Sequence, residues 1–166
     1  MKKLVVLSGI PGSGKSYFSK SVKEIKGTHV YIISSDAIRK EMLGSQRNLS
    51  KEEVVWDIFY NLPKVYALDK EAFVILDATH IKSKLRLKIR NDLNNYFDEI
   101  DLVCFYLPKE VAAKQNKERE EPVPDYVIES FYKEFESPTD EERSLFNKVY
   151  LISNEEIDRV VNDIIS

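Results

Sequence analysis

A chain of 166 residues with 43% hydrophobic and 32% charged side chains carries enough apolar mass for one core, and nothing in that composition favours disorder. Its formal net charge of -3 excludes coating of nucleic acid by bulk positive charge, which depends on neutralising many phosphates, while leaving room for a local basic patch. A lone cysteine, Cys104, excludes an internal disulfide, and no apolar run approaches bilayer-spanning length. The expectation is one cytoplasmic domain, residues 1–166, that engages no membrane.

The apolar run after Met1-Lys2-Lys3 stops after four residues at Ser8-Gly9, too soon for a secretion signal. Five short runs rich in β-branched residues read as strands: 4–7, 30–33, 73–76, 102–107 and 149–152. They are apolar throughout rather than alternating, as parallel strands covered on both faces are. Helices are expected at 16–25 and 37–43, then from Ser50, where Ser50 and Glu53 match a capping box, to about residue 70, with Pro63 kinking or dividing the segment. Further helices follow at 83–96, which is basic on one side, and from 109 until Glu120-Glu121-Pro122-Val123-Pro124 breaks it, then at 125–135. The last helix opens at a Ser153/Glu156 capping box and lines up Ile157, Val160, Val161, Ile164 and Ile165. Repeated β-α order predicts an α/β fold with three layers and a five-stranded, mainly parallel sheet. Residues 49–70 and 116–138 depart from the alternation, and insertions over an active site belong there.

Gly9-Ile10-Pro11-Gly12-Ser13-Gly14-Lys15-Ser16 fits G-x-x-x-x-G-K-[ST] between a strand and a helix, which predicts a phosphate loop. Glycines let main-chain N–H groups approach phosphate oxygens, and the following helix presents its positive end. Lys15 is expected on the β- and γ-phosphates of ATP and the Ser16 hydroxyl on Mg²⁺, with Tyr17 extending the ATP-binding set. Asp77, closing the third strand, is the acid expected to hold Mg²⁺ through a water; the alternative is a turn cap. Past the second strand, Asp36 and Arg39 stand one helical turn apart at the sheet edge where ligands bind. They read either as a general base with an anion-binding arginine, or as a helix N-cap with a solvated arginine.

The combination GIPGSGKSYFSK, ISSDAIRKEM, FVILDATH and NKEREEPVPDYVIESFYKEFESPT resembles the P-loop kinases related to polynucleotide 5′-hydroxyl kinases, within the AAA-type and zeta-toxin-like group. The resemblance runs from Leu4 to about Thr139 and implies a P-loop NTPase fold with a helical lid at about 114–138. It implies Asp36 as general base and Arg39 on the acceptor's phosphate. It also implies a lid arginine, Arg119, as stabiliser of the transferred phosphoryl. Lys117 matches the family in charge only, and Gln115 and Glu121 stand where relatives often carry arginine. His80 falls where the family often has asparagine; it reads as a contact to the acceptor or as a structural histidine. Fold analogy puts the adenine near Ser153 and Asn154.

Lys82, Lys84, Arg86, Lys88 and Arg90 form a basic cluster that fits either a polyphosphate or nucleic-acid strand or a solvated helix face. Trp56, Phe59, Tyr60 and Tyr66 recur at helical spacing, which signals core packing, with base stacking as the alternative. The expectation is thus an ATP- and Mg²⁺-dependent phosphotransferase acting on a hydroxyl acceptor, with a nucleic-acid 5′ end favoured by the resemblance. The alternatives are a small-molecule kinase and an ATP-binding switch without an acceptor.

Overall fold

The computed structural model describes all residues from Met1 to Ser166. Strands β1 (Lys3–Ser8), β2 (Val30–Ser34), β3 (Phe73–Asp77), β4 (Glu99–Phe105) and β5 (Lys148–Ile152) form one sheet in the order β2-β3-β1-β4-β5, parallel at every pairing. The helices are α1 (Lys15–Lys26), α2 (Ser35–Leu43), α3 (Glu52–Tyr66), α4 (Ser83–Leu93), α5 (Lys109–Lys117), α6 (Asp125–Glu134), α7 (Asp140–Leu145) and α8 (Ile157–Ile165).

Each strand feeds both helical layers, which explains the unbroken apolar runs. Leu4 and Val6 of β1 pack with Phe59, Ile89 and Leu93 of α3 and α4, whereas Val5 and Leu7 meet Phe18, Val22, Val160 and Ile164 of α1 and α8. Full burial of a side chain such as Phe18 or Phe59 contributes about 2 kcal/mol. Trp56, Tyr60 and Tyr66 lie against the first of these cores, as their helical spacing implies. Cys104 is buried there too, and burial pushes its thiol up to about 12, so it stays protonated and unreactive. No helix is long and apolar enough to cross a membrane.

The local boundaries depart from expectation at four places. The Ser50/Glu53 box does not form: Ser50 donates its main-chain N–H and hydroxyl to Asn48 Oδ1, and α3 begins at Glu52 after Lys51 without a side-chain cap. Pro63 does not divide α3, which runs on to Tyr66, because the buried ring packs inside a helix already held by its apolar face. A helix that hydrophobic periodicity leaves unmarked, α7, opens on a capping box made by Thr139 and Glu142. The Ser153/Glu156 box forms as expected but caps a 3₁₀ turn, Asn154–Glu156, ahead of α8.

The basic cluster separates into different roles. Arg86 is fully buried, with Nε donating to Glu142 Oε2 at 2.7 Å and Nη2 to Glu142 Oε1 at 2.9 Å. Its Nη1 donates to Ser8 Oγ and to the carbonyls of His80 and Ile81, which ties the end of β1, the loop after β3 and α7 together. Arg86 is therefore structural, while Lys82, Lys84 and Lys88 remain exposed.

Candidate active site

β1 lies between β3 and β4, so the chain leaves the centre of the sheet at Ser8 and opens a crevice at the carboxyl ends. The phosphate loop fills that crevice. Gly12 has φ +84°, and a Cβ there would come within 2.4 Å of the Ala112 carbonyl oxygen and 3.0 Å of the Asn116 nitrogen. Gly14, at φ +106°, opens α1 in the left-handed region. The loop thus rests directly on the backbone of α5. Gly12→Ala meets both strain and a clash, and the expected result is at least a tenfold loss of ATP affinity, on the order of the 1–3 kcal/mol such strain costs. Titration calorimetry with ATP measures it.

Lys15 is buried, with Nζ donating to the carbonyls of Gly9 at 2.8 Å and Ile10 at 3.1 Å. Burial lowers its pKa to about 8, opposed by Asp77 and reinforced by Arg119. The ammonium is poorly compensated in place, a state that an incoming anion relieves. The Ser16 hydroxyl donates to Asp77 Oδ2 at 3.4 Å, so the two residues expected at a cation lie side by side. Asp77 is buried and its pKa is raised by that burial against the pull of Lys15. A hard divalent cation suits this pair, since Mg²⁺ takes few protein oxygens beside phosphate and water. Tyr17 points outward and donates its hydroxyl to Asp158 at 2.9 Å, which leaves only its main chain near the loop.

Asp36 does not cap α2. Ser34 does, accepting from the Ala37 nitrogen at 3.2 Å, and Asp36 is left free in the first turn. Its carboxylate collects three guanidinium groups: Oδ1 accepts from Arg39 Nη1 at 2.9 Å and Arg47 Nη2 at 3.0 Å, and Oδ2 accepts from Arg119 Nη2 at 2.6 Å. Arg39 is not solvated either. Its Nε and Nη2 grip both oxygens of Glu52 at 2.8 and 2.7 Å, so the planar fork faces α3. Sequence reasoning missed Arg47, whose Nε is buried without a partner. Only its position in the loop between α2 and α3, over the sheet edge, pointed to it.

Segment 114–138 closes over this group. Beyond the Arg119 contact, Lys40 pairs with Glu120 at 2.5 Å, and Glu121 accepts from the Ser45 hydroxyl at 2.5 Å and the Gln46 nitrogen at 3.2 Å. The two glutamates thus clasp α2 and the loop after it. The turn itself is braced by Asn116, whose side-chain amide bonds both the N–H and the carbonyl of Val123. Lys117 is exposed and unpaired. Gly14 faces the opposite side, where a Cβ would lie 2.8 Å from Ile157 Cδ1 and 3.1 Å from Asn154 Oδ1. His80 is buried, with Nδ1 2.7 Å from the Leu7 carbonyl.

A family model described as an AAA domain, AAA_33, matches residues 4–138. The chain belongs to this family. Its P-loop kinase fold agrees with the parallel five-stranded sheet and the loop geometry above. The L-seryl-tRNA(Sec) kinase of Methanococcus maripaludis is 32% identical over 142 residues, covering 81% of this chain and 53% of that protein. The chain spans about half the length of the curated relatives it matches. Among solved structures, Chaetomium thermophilum Kti12 in complex with ADP-AlF3 superposes with a TM-score of 0.73 at 18% identity, over 97% of this chain and 96% of that one. A fungal RNA kinase gives 0.71 at 16% identity, over 99% and 44%. These two share the fold. The family and the phosphate loop make the chain a nucleotide-binding protein of the P-loop kinase type.

Proposed function

We propose that the chain is an ATP-dependent phosphotransferase that moves the γ-phosphoryl to a hydroxyl acceptor, with the 5′-hydroxyl of a polynucleotide as the preferred class. The observation that carries this reading is the Asp36 carboxylate, uncapped, under three guanidinium groups beside a phosphate loop. The acceptor oxygen forms the new bond to the γ-phosphorus while its proton passes to Asp36, and the bond to the bridging oxygen breaks to leave ADP. Lys15 and the loop amides hold the triphosphate. Ser16 and Asp77 would hold Mg²⁺, which supplies positive charge against the phosphate oxygens when bound. Arg119 leaves Asp36 for the transferred phosphoryl as the triphosphate arrives. Most of the acceleration is positioning and charge neutralisation.

The anionic side of the acceptor falls to Arg47 in this reading. Arg39 has every guanidinium nitrogen engaged, Nε and Nη2 on Glu52 and Nη1 on Asp36, whereas Arg47 spends only Nη2 on Asp36 and its side chain is 33% exposed. A relative named for seryl-tRNA favours an acceptor that is RNA or is carried on RNA. Arg47→Ala is expected to raise KM for a nucleoside 3′-monophosphate by about tenfold or more, the worth of a charged hydrogen bond, with little change for the unphosphorylated nucleoside. Initial rates with γ-labelled ATP measure both. Equal loss on the two acceptors removes Arg47 from that role, and label released only as inorganic phosphate with every acceptor removes the kinase reading.

A further inference from the structure

A cleft of about 370 Å³ opens beside this site, where α3 faces the loop after β3. Its walls are Trp56 and Tyr60, whose rings stack at 5.6 Å and 20°, with Leu85 of α4 opposite, Thr79 and His80 in the lining and exposed Lys82. Trp56 is shared with the catalytic group: the Arg39 guanidinium carbon lies 5.5 Å from its ring centroid, and Arg39 Nη1 touches Asp36 at 2.9 Å. A molecule seated in the cleft is thus adjacent to the residues that receive the acceptor hydroxyl.

His80 gives the cleft a chemical preference. Its Nδ1 meets the Leu7 carbonyl, which can only accept, so Nδ1 carries the hydrogen. Burial lowers its pKa to about 4, against the hydrogen bond to Leu7, and the ring is neutral. Nε2 is therefore a bare acceptor, and this buried atom has no partner. It is covered from solvent, in a side chain whose ring centroid is 5.6 Å from Phe59 and 6.4 Å from Tyr60, so a ligand in the cleft reaches it only by displacing part of that cover. A buried acceptor left unpaired is costly, and a ligand bearing a donor satisfies it.

We propose that this cleft holds the nucleobase of the acceptor nucleotide, stacked on Trp56 and Tyr60 and donating an N–H to His80 Nε2. The proposal rests on the phosphotransferase reading and narrows its acceptor to one that carries a base next to the hydroxyl. Flat aromatic walls suit a heterocycle, since stacking on such rings works for any base. A polyol or sugar acid gains nothing from them. Lys82, exposed in the same lining and only loosely paired with Glu136 at 3.8 Å, adds a positive charge suited to the acceptor's phosphates.

Trp56 is the only tryptophan in the chain, so tryptophan fluorescence reads this cleft and the adjoining Arg39 and needs no ATP; ribose 3-phosphate controls for binding at Arg39. The probes are adenosine 3′-monophosphate, purine riboside 3′-monophosphate, which lacks any N–H on its base, and ribose 3-phosphate, which lacks the base. The expected result is saturable quenching by the adenosine compound, about tenfold weaker binding of the purine riboside compound, and none by ribose 3-phosphate. The ¹⁵N resonance of His80 Nε2 should move with the adenosine compound only. Tyr60→Leu, at a half-buried position, should weaken the adenosine compound and leave the melting temperature within a few degrees. Equal quenching by all three probes, no quenching, or an unmoved Nε2 resonance overturns the proposal. Phosphorylation of a 5′-hydroxyl with unresponsive Trp56 fluorescence sinks the cleft assignment alone. Quenching without any phosphoryl transfer leaves a base-binding cleft and sinks the kinase reading instead.

Discussion

Replacing Asp36 with asparagine is expected to lower phosphoryl transfer to a 5′-hydroxyl oligonucleotide by about a thousandfold and to leave the Kd for ATP within about threefold of the parent. The side chain keeps its size, but the amide has no basic oxygen with which to take the acceptor proton. ATP affinity survives because the triphosphate is gripped by main-chain amides and Lys15, which reach it from β1 and α1 and make no bond to Asp36. The fold survives because Asp36 is partly exposed and Ser34, not Asp36, caps α2. Single-turnover assays that count labelled oligonucleotide and labelled inorganic phosphate separately read the effect. A nucleotide switch that transfers to water alone would lose little.

Glu142→Ala is expected to reduce stability by about 3–5 kcal/mol, the cost of leaving a buried charge without its partner. Both Arg86 and Glu142 are wholly buried and joined by two hydrogen bonds, and Arg86 also holds Ser8 and the His80–Ile81 loop. Urea unfolding measures the loss. Replacing both partners with apolar residues, Arg86→Met with Glu142→Leu, should recover much of it, since no unpaired charge remains. The pair also sets an acid limit. Burial alone would raise the Glu142 pKa, but hydrogen bonds from Arg86, Ser83 and the Thr139 backbone carry it below the ordinary glutamate value. Its contribution is therefore full above that ordinary value and is lost as pH falls through the depressed one. The alanine variant should show a flatter stability profile across that acid window.

What the sequence reveals here follows the range of the interaction. Gly9 to Ser16 is legible because the phosphate loop is a local backbone shape with its own residue requirements, and the strands are legible because burial on both faces writes an unbroken apolar run. Helix boundaries fare worse. Ser50 and Thr139 both begin an S/T-x-x-E pattern, yet Asn48 captures Ser50 while Thr139 caps a six-residue helix too short to show hydrophobic periodicity. The carboxylate proposed as base is half legible: Asp36 sits on a recognisable strand-to-helix turn, but Ser34 taking the cap depends on local geometry. Pairings across the fold leave no local trace. Arg86 looks like one of five surface cations until Glu142, 56 residues on, meets it, and Arg39 looks free until Glu52 closes on it. Arg47 has no pattern at all; it reaches Asp36 because the loop after α2 folds back over it.

The central claim is that the phosphate loop delivers a γ-phosphoryl to a hydroxyl poised on Asp36. A crystal structure with a non-hydrolysable ATP analogue, Mg²⁺ and a 5′-hydroxyl dinucleotide tests it in one step. The account predicts the acceptor oxygen about 3 Å from an Asp36 oxygen, with Arg119 moved from Asp36 to the γ-phosphate. An occupied phosphate loop with Arg119 and Arg47 still closed on Asp36, and the hydroxyl bound elsewhere, would contradict it.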